Sequence, residues 1–81
     1  MRIAIRLFAR AKDLAGADAV TLEVPSGATI GELRRQLAQA QPALAGLLQR
    51  SAIAVNDEFA DDLLTVPQGA EVALLPPVSG G

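Results

Sequence analysis

An α+β fold, in which one main helix packs across a mixed sheet of four to five strands, is predicted by three features of this 81-residue sequence. Two runs near the N-terminus alternate apolar and polar residues with the period of a half-buried strand. A capping-box signature then opens an amphipathic helical stretch. A short, nearly continuous apolar run close to the C-terminus reads as a strand of the sheet interior, or as one with an apolar face left for a partner.

Arg2 to Phe8 forms the first alternating run, with Ile3, Ile5 and Leu7 on one face and Arg2, Ala4 and Arg6 on the other. Residues 9–18 are small and polar, a connection longer than a tight hairpin turn, with one helical turn expected at Asp13-Leu14-Ala15. Ala19 to Val24 alternates again until Pro25 removes a ladder donor, so the two runs pair as an antiparallel hairpin. Thr29 and Glu32 supply the capping box, and Ile30, Leu33 and Leu37 repeat at helical spacing, with Arg34 and Arg35 on the solvent side. The helix is expected to stop near Ala40 or Gln41, because Pro42 disfavours helical geometry in the residue before it. Leu44, Leu47 and Leu48 suggest a second short helix or turn that closes one end of the core. Ala52 to Val55 is a strand, Asn56-Asp57-Glu58 a turn and Phe59-Ala60 a short return. Asp61-Asp62 begins a loop carrying Leu63, Leu64 and Val66, and Pro67-Gln68-Gly69 suits a type I turn with Pro at its second position. Val72 to Leu75 is the last strand. This order is that of the β-grasp arrangement of ubiquitin-like domains, in which the first and last strands run parallel at the centre. The chain divides into a domain over residues 1–75 and a tail over 76–81.

Composition narrows the chemistry. With 51% apolar residues the chain builds one small core, and a second domain does not fit. It has neither cysteine nor histidine, which removes disulfides, thiolate nucleophiles, the commonest general base and the usual zinc ligands. Asp57, Glu58, Asp61 and Asp62 lack calcium-loop spacing and read as a solvated loop, so no metal site is expected. A net charge of −2 and only two aromatic residues, Phe8 and Phe59, argue against nucleic acid, which demands a basic surface or stacking platforms. No apolar run approaches the roughly 20 residues of a membrane span, and a cytoplasmic setting is expected.

The tail Pro76-Pro77-Val78-Ser79-Gly80-Gly81 is the distinctive stretch. Two prolines fix φ near −65° and hold the preceding residue extended, so the chain leaves its last strand stiff. At about 3.1 Å per residue, six residues reach at most roughly 19 Å. Gly80 and Gly81 lack Cβ atoms, so they suit a channel too narrow for other residues and leave a terminal carbonyl open to attack. Pro76, Pro77 and Val78 aim the tail, and Phe8, Leu74 and Leu75 are candidates for an apolar docking patch on the sheet, although Phe8 fits the core equally well. Lys12 and Arg10 are candidates for pairing with acidic groups on a partner.

The chain resembles the small-subunit family of molybdopterin synthase, the ubiquitin-like sulfur carriers of molybdenum cofactor biosynthesis. The resemblance rests on the ending Glu71-Val72-Ala73-Leu74-Leu75-Pro76-Pro77-Val78-Ser79-Gly80-Gly81, on Leu7-Phe8-Ala9-Arg10 with Lys12 and Leu14-Ala15-Gly16 beyond it, and on Val55-Asn56. Leu74 and Leu75 depart from it, standing where aromatic residues are common in the family.

The resemblance implies a chain that is not catalytic alone and holds no cofactor. An E1-like adenylyltransferase uses ATP and Mg²⁺ to adenylate Gly81, and sulfur then displaces AMP to leave a thiocarboxylate. The tail enters the large subunit of the synthase, whose catalytic groups use two such sulfurs to build the dithiolene of molybdopterin, in a 2:2 heterotetramer. Three other functions stand beside this one: a thiamine-thiazole sulfur carrier, a ubiquitin-like protein modifier whose glycine joins a lysine amine, and a plain interaction module with an inert tail.

Overall fold

The computed structural model describes residues 1–77, and Val78, Ser79, Gly80 and Gly81 lie outside the described residues. A five-stranded mixed sheet carries three helices in the order β1 (Arg2–Leu7), α1 (Ala9–Ala15), β2 (Ala19–Glu23), α2 (Ile30–Ala40), a 3₁₀ turn (Pro42–Leu44), α3 (Ala45–Leu48), β3 (Ala52–Val55), β4 (Glu58–Ala60) and β5 (Val72–Leu75). The strands lie in the order β2-β1-β5-β3-β4. β1 pairs antiparallel with β2 and parallel with β5, and β3 pairs antiparallel with both β5 and β4. The β-grasp arrangement expected of the sequence is the one observed.

One sheet face is packed against the helices. Ile3, Ile5 and Leu7 from β1, Leu22 from β2, Ile53 and Val55 from β3 and Val72 and Leu74 from β5 meet Ile30, Leu33 and Leu37 of α2, with Leu44, Leu47 and Leu48 closing one end. Leu33 and Leu37 are fully enclosed, each burial stabilising the fold by about 1.5–3 kcal/mol. The capping box is realised. The Glu32 amide donates to Thr29 Oγ1 at 3.2 Å, and the Thr29 amide donates to Glu32 Oε1 at 3.2 Å.

Four features differ from the sequence reading. The connection after β1 is a seven-residue helix rather than a single turn, because its alanines favour helix and Ala11 is enclosed by the core. That helix opens at Ala9, which takes φ +51°, a left-handed conformation that bends the chain sharply out of β1. The turn at Pro67 is shifted by one residue. The Ala70 amide donates to the Pro67 carbonyl at 3.2 Å, which puts Gly69, at φ +74°, in the third position where a type II turn requires positive φ.

The fourth difference is Arg34, which does not lie in solvent. Its Nη1 donates to the carbonyls of Leu48 and Ser51, the latter at 2.9 Å, and its Nε and Nη2 donate to Asp62 Oδ1 at 3.3 and 3.1 Å. One guanidinium thus ties α2 to the end of α3 and to the loop before β5. That loop also supplies acceptors for the otherwise unpaired amides at the start of α2: Ile30 donates to Leu64 O at 2.9 Å and Gly31 to Asp62 O at 3.0 Å. Gly31 lets helix and loop approach closely, since a Cβ would stand 3.3 Å from both the Cβ and the carbonyl oxygen of Asp62 and would press on that loop.

Three stability measurements follow from this packing, each read as a shift in the urea midpoint at unchanged slope. Leu33→Ala is expected to cost about 2–5 kcal/mol, since it deletes an enclosed side chain and leaves a cavity. Arg34→Ala is expected to cost about 1–3 kcal/mol, because the Ser51 carbonyl loses its donor and the Leu48 carbonyl keeps only the Ser51 amide, with Arg34→Lys recovering only part because an ammonium cannot reproduce the planar fork. Ala9→Gly is expected to stabilise by up to about 1 kcal/mol, by relieving the left-handed alanine.

Candidate functional site

The sheet face turned away from the helices carries the exposed residues of the candidate site. Strand alternation sends Ile5, Leu7, Val72, Leu74, Ile53 and Val55 to the core, and it leaves Arg6, Ala73, Ala54 and Phe59 on the outer side. The register sets these four in a row across β1, β5, β3 and β4, because Arg6 pairs with Ala73, Ala73 with Ala54 and Ala54 with Phe59. At the next level Phe8 follows Leu7, whose partner is Leu74, so Phe8 stands beside Leu75, and Leu75 pairs with Ala52.

Alanines in the middle and larger side chains at the sides make this face a trough. Phe59, 79% exposed, forms the β4 side, and Phe8, 38% exposed, forms the β1 side with the Arg6 guanidinium 5.4 Å from its ring centroid. A hollow of about 80 Å³ opens between Arg6, Phe8, Ala54, Asp57 and Glu71. Phe8 therefore belongs to the surface, which resolves the two readings of it. Leu75 is half-buried beside it. Leu74 is fully buried and is withdrawn from the docking patch expected of it, because the pleat points it toward α2.

β5 runs parallel to β1, so the chain leaves the sheet at the end where β1 passes into Phe8 and α1. Pro76 is half-buried there and Pro77 is exposed. The tail residues Val78, Ser79, Gly80 and Gly81, to which the sequence assigns the chemistry, fall outside the described residues. Their point of departure does not: it adjoins Phe8 and Leu75 at the margin of the trough.

Lys12 lies on α1 and is held within the chain. Its Nζ meets Asp18 Oδ1 at 2.8 Å, and the two groups reinforce each other's charged forms. The hydrogen bond from Lys12 lowers the Asp18 carboxyl below its ordinary range, and the same bond raises the Lys12 ammonium above its own. Arg10 is exposed. Among the described residues no group of three or more acidic side chains is placed to hold a metal ion. No helix there is long and apolar enough to cross a membrane.

Phe59 is the surface residue that the sequence reading left without a role. A signal for it was present: Asn56 and Asp57 take φ +50° and +69° in a two-residue hairpin loop flanked by the Val55–Glu58 pair, and Asn and Asp tolerate that conformation best after glycine. Placing the loop there puts Phe59 opposite Ala54, on the outer face.

Comparison with known proteins accords with this geometry. Residues 5–81 match the ThiS family. The molybdopterin synthase sulfur carrier subunit of Arabidopsis thaliana is 36% identical over 81 residues, covering 100% of this chain and 84% of that protein. A crystal structure of the small archaeal modifier protein 1 of Haloferax volcanii superposes with a TM-score of 0.85 at 30% identity, covering 95% of this chain and 98% of that one. A chain of the Helicobacter pylori complex of subunits 1 and 2 of molybdopterin-converting factor is 29% identical with a TM-score of 0.70, covering 100% of both chains. The match across nearly all its length, together with relatives of this identity, makes this chain a member of the ThiS family, akin to the sulfur carrier subunits of molybdopterin synthase.

Proposed function

We propose that this protein carries sulfur for the dithiolene of molybdopterin, bonded to Gly81 as a thiocarboxylate and delivered inside a molybdopterin synthase complex. The observation that carries the reading is full-length similarity to proteins named for that role, joined to a stiff Pro76-Pro77 exit beside a trough with aromatic margins and an alanine floor. A carboxylate is a poor electrophile at neutral pH and must be activated. In the proposed cycle an E1-like adenylyltransferase holding ATP and Mg²⁺ lets a Gly81 oxygen attack the α-phosphorus, with pyrophosphate leaving. A sulfur nucleophile then attacks the acyl carbon and AMP leaves. The large subunit supplies the groups that move the sulfur onto the pterin, and this chain contributes the reagent and its address.

The trough is the proposed seat for the large subunit, in keeping with the two-subunit assembly of the Helicobacter relative. Its aromatic margins and alanine floor suit an apolar element, with Arg6, Asp57 and Glu71 placed to meet polar groups beside it. A 2:2 stoichiometry and a cytoplasmic setting complete the proposal. A second reading, as a protein modifier that joins Gly81 to lysine amines, is favoured by the likeness to the Haloferax modifier protein.

Intact-mass measurement tests the loading step. After incubation with extract of the source cells, ATP, Mg²⁺ and a sulfur donor, the chain is expected to gain the mass of one oxygen replaced by sulfur, and a chain lacking Gly81 to gain nothing. Gly81→Val is expected to abolish transfer without unfolding the domain. Normal loading of Gly81→Val, or no loading in an extract that charges another carrier, sinks the sulfur reading, and adducts of higher protein mass in those cells support the modifier reading instead. For the trough, Phe59→Asp and Phe8→Asp are each expected to weaken binding of the large subunit by about tenfold or more, as loss of an aromatic anchor does, with folding unchanged by circular dichroism.

A further inference from the structure

A chain whose end is activated for attack is itself an acylating agent, and its nearest targets are its own nucleophiles. Here they are few. There is no cysteine, and of the seven basic side chains six are arginines, leaving Lys12 as the single lysine. The Met1 ammonium is tucked into the β1–β2 hairpin, where it donates to the Val24 carbonyl and lies 3.9 Å from Glu23. Lys12 sits on α1, and α1 packs beside β5, the strand from which the tail departs. The one lysine is therefore on a helix that packs against the strand from which the acyl donor departs.

We propose that Lys12 is the sole side-chain amine of this chain open to acylation and that its ion pair with Asp18 guards it, so that an activated Gly81 is preserved for its proper acceptor. The proposal rests on the reading of Gly81 as an activated end. Amide formation needs the neutral amine: Nζ first gives a proton to solvent, its lone pair attacks the Gly81 carbonyl carbon, and the bond to sulfur or to the adenylate oxygen breaks as that group leaves. Asp18 opposes the first step, because its carboxylate, 2.8 Å from Nζ, stabilises the ammonium. Asp13 adds to the same field from within α1, and Arg6 faces Asp18 from β1 and helps keep that carboxylate ionised. Arg35, exposed on α2 and without an ion pair among the described residues, offers a place for an unguarded lysine in the same molecule.

The test uses the full chain bearing R35K and limiting N-acetoxysuccinimide at pH 7.5, with peptide mapping to compare acetylation at position 12 with that at position 35. Position 12 is expected to react roughly twofold to fivefold more slowly, the scale of an exposed ion pair, and D18N to erase the difference. A second arm installs a thioester at Gly81 by intein cleavage and follows self-joined product by mass. D18N is expected to form the product linked through Lys12 roughly twofold to fivefold faster than the parent. Equal rates at the two positions, or an unchanged ratio in D18N, overturn the guard. Because the acyl group is installed chemically, this result is independent of whether the cell loads sulfur on Gly81, which the extract experiment decides alone.

Discussion

The parallel pairing of β1 with β5 is the contact on which the rest of the molecule depends. Parallel neighbours cannot be joined by a tight turn and need a long crossover, and here nearly the whole chain runs between them, with α2 crossing the sheet on the way. Ile5 and Leu7 on one strand and Val72 and Leu74 on the other supply the centre of the core, and the closure entropy of that long connection is offset by burying them together. The same pairing fixes the place where the chain leaves the sheet at Pro76. Because β5 is the middle strand, hydrogen-bonded on both sides, the residue that leaves it does so from a place the fold holds firmly.

The two sheet faces have separate duties. The inner face holds nearly all of the large apolar side chains and takes the helices. The outer face has alanines at its centre, which bury little and stabilise little, so it is open to a partner without weakening the core. Phe8 and Phe59 stand on it at positions where a folding argument alone would not put aromatic rings. Stability comes instead from an interior that includes a polar clamp. Arg34 spans three segments, and the stretch from Asp61 to Val66, which lacks regular structure, is fastened by backbone hydrogen bonds to the start of α2.

Periodic signals in the sequence were the readable ones. The β1–β2 hairpin, the limits of α2, its Thr29–Glu32 cap, the short helix at Leu44–Leu48 and the last strand all follow from local rules, since apolar spacing and capping chemistry act over a few residues. The misread places share a different cause. Ala11 became part of a helix because the core enclosed it, and an alanine carries no pattern from which that can be foreseen. Arg34 lies at a helix position that is polar by spacing, yet α3 and Asp62 arrive to cover it from distant parts of the chain. Leu74 and Leu75 looked alike in an unbroken apolar run, and the phase of the pleat assigned them to opposite faces.

By itself the sequence determined the class of fold, the absence of cysteine and histidine chemistry, and the Pro-Pro and Gly-Gly ending that any account of function must use. These depend on residue type and near-neighbour spacing, which the chain carries whether folded or not. The tertiary structure alone decided which residues share the outer trough, that Lys12 meets Asp18, and that Arg34 is a clamp. Each of these is a meeting of residues far apart in the chain, set by strand register and helix placement, and no local pattern encodes the register of β1 against β5.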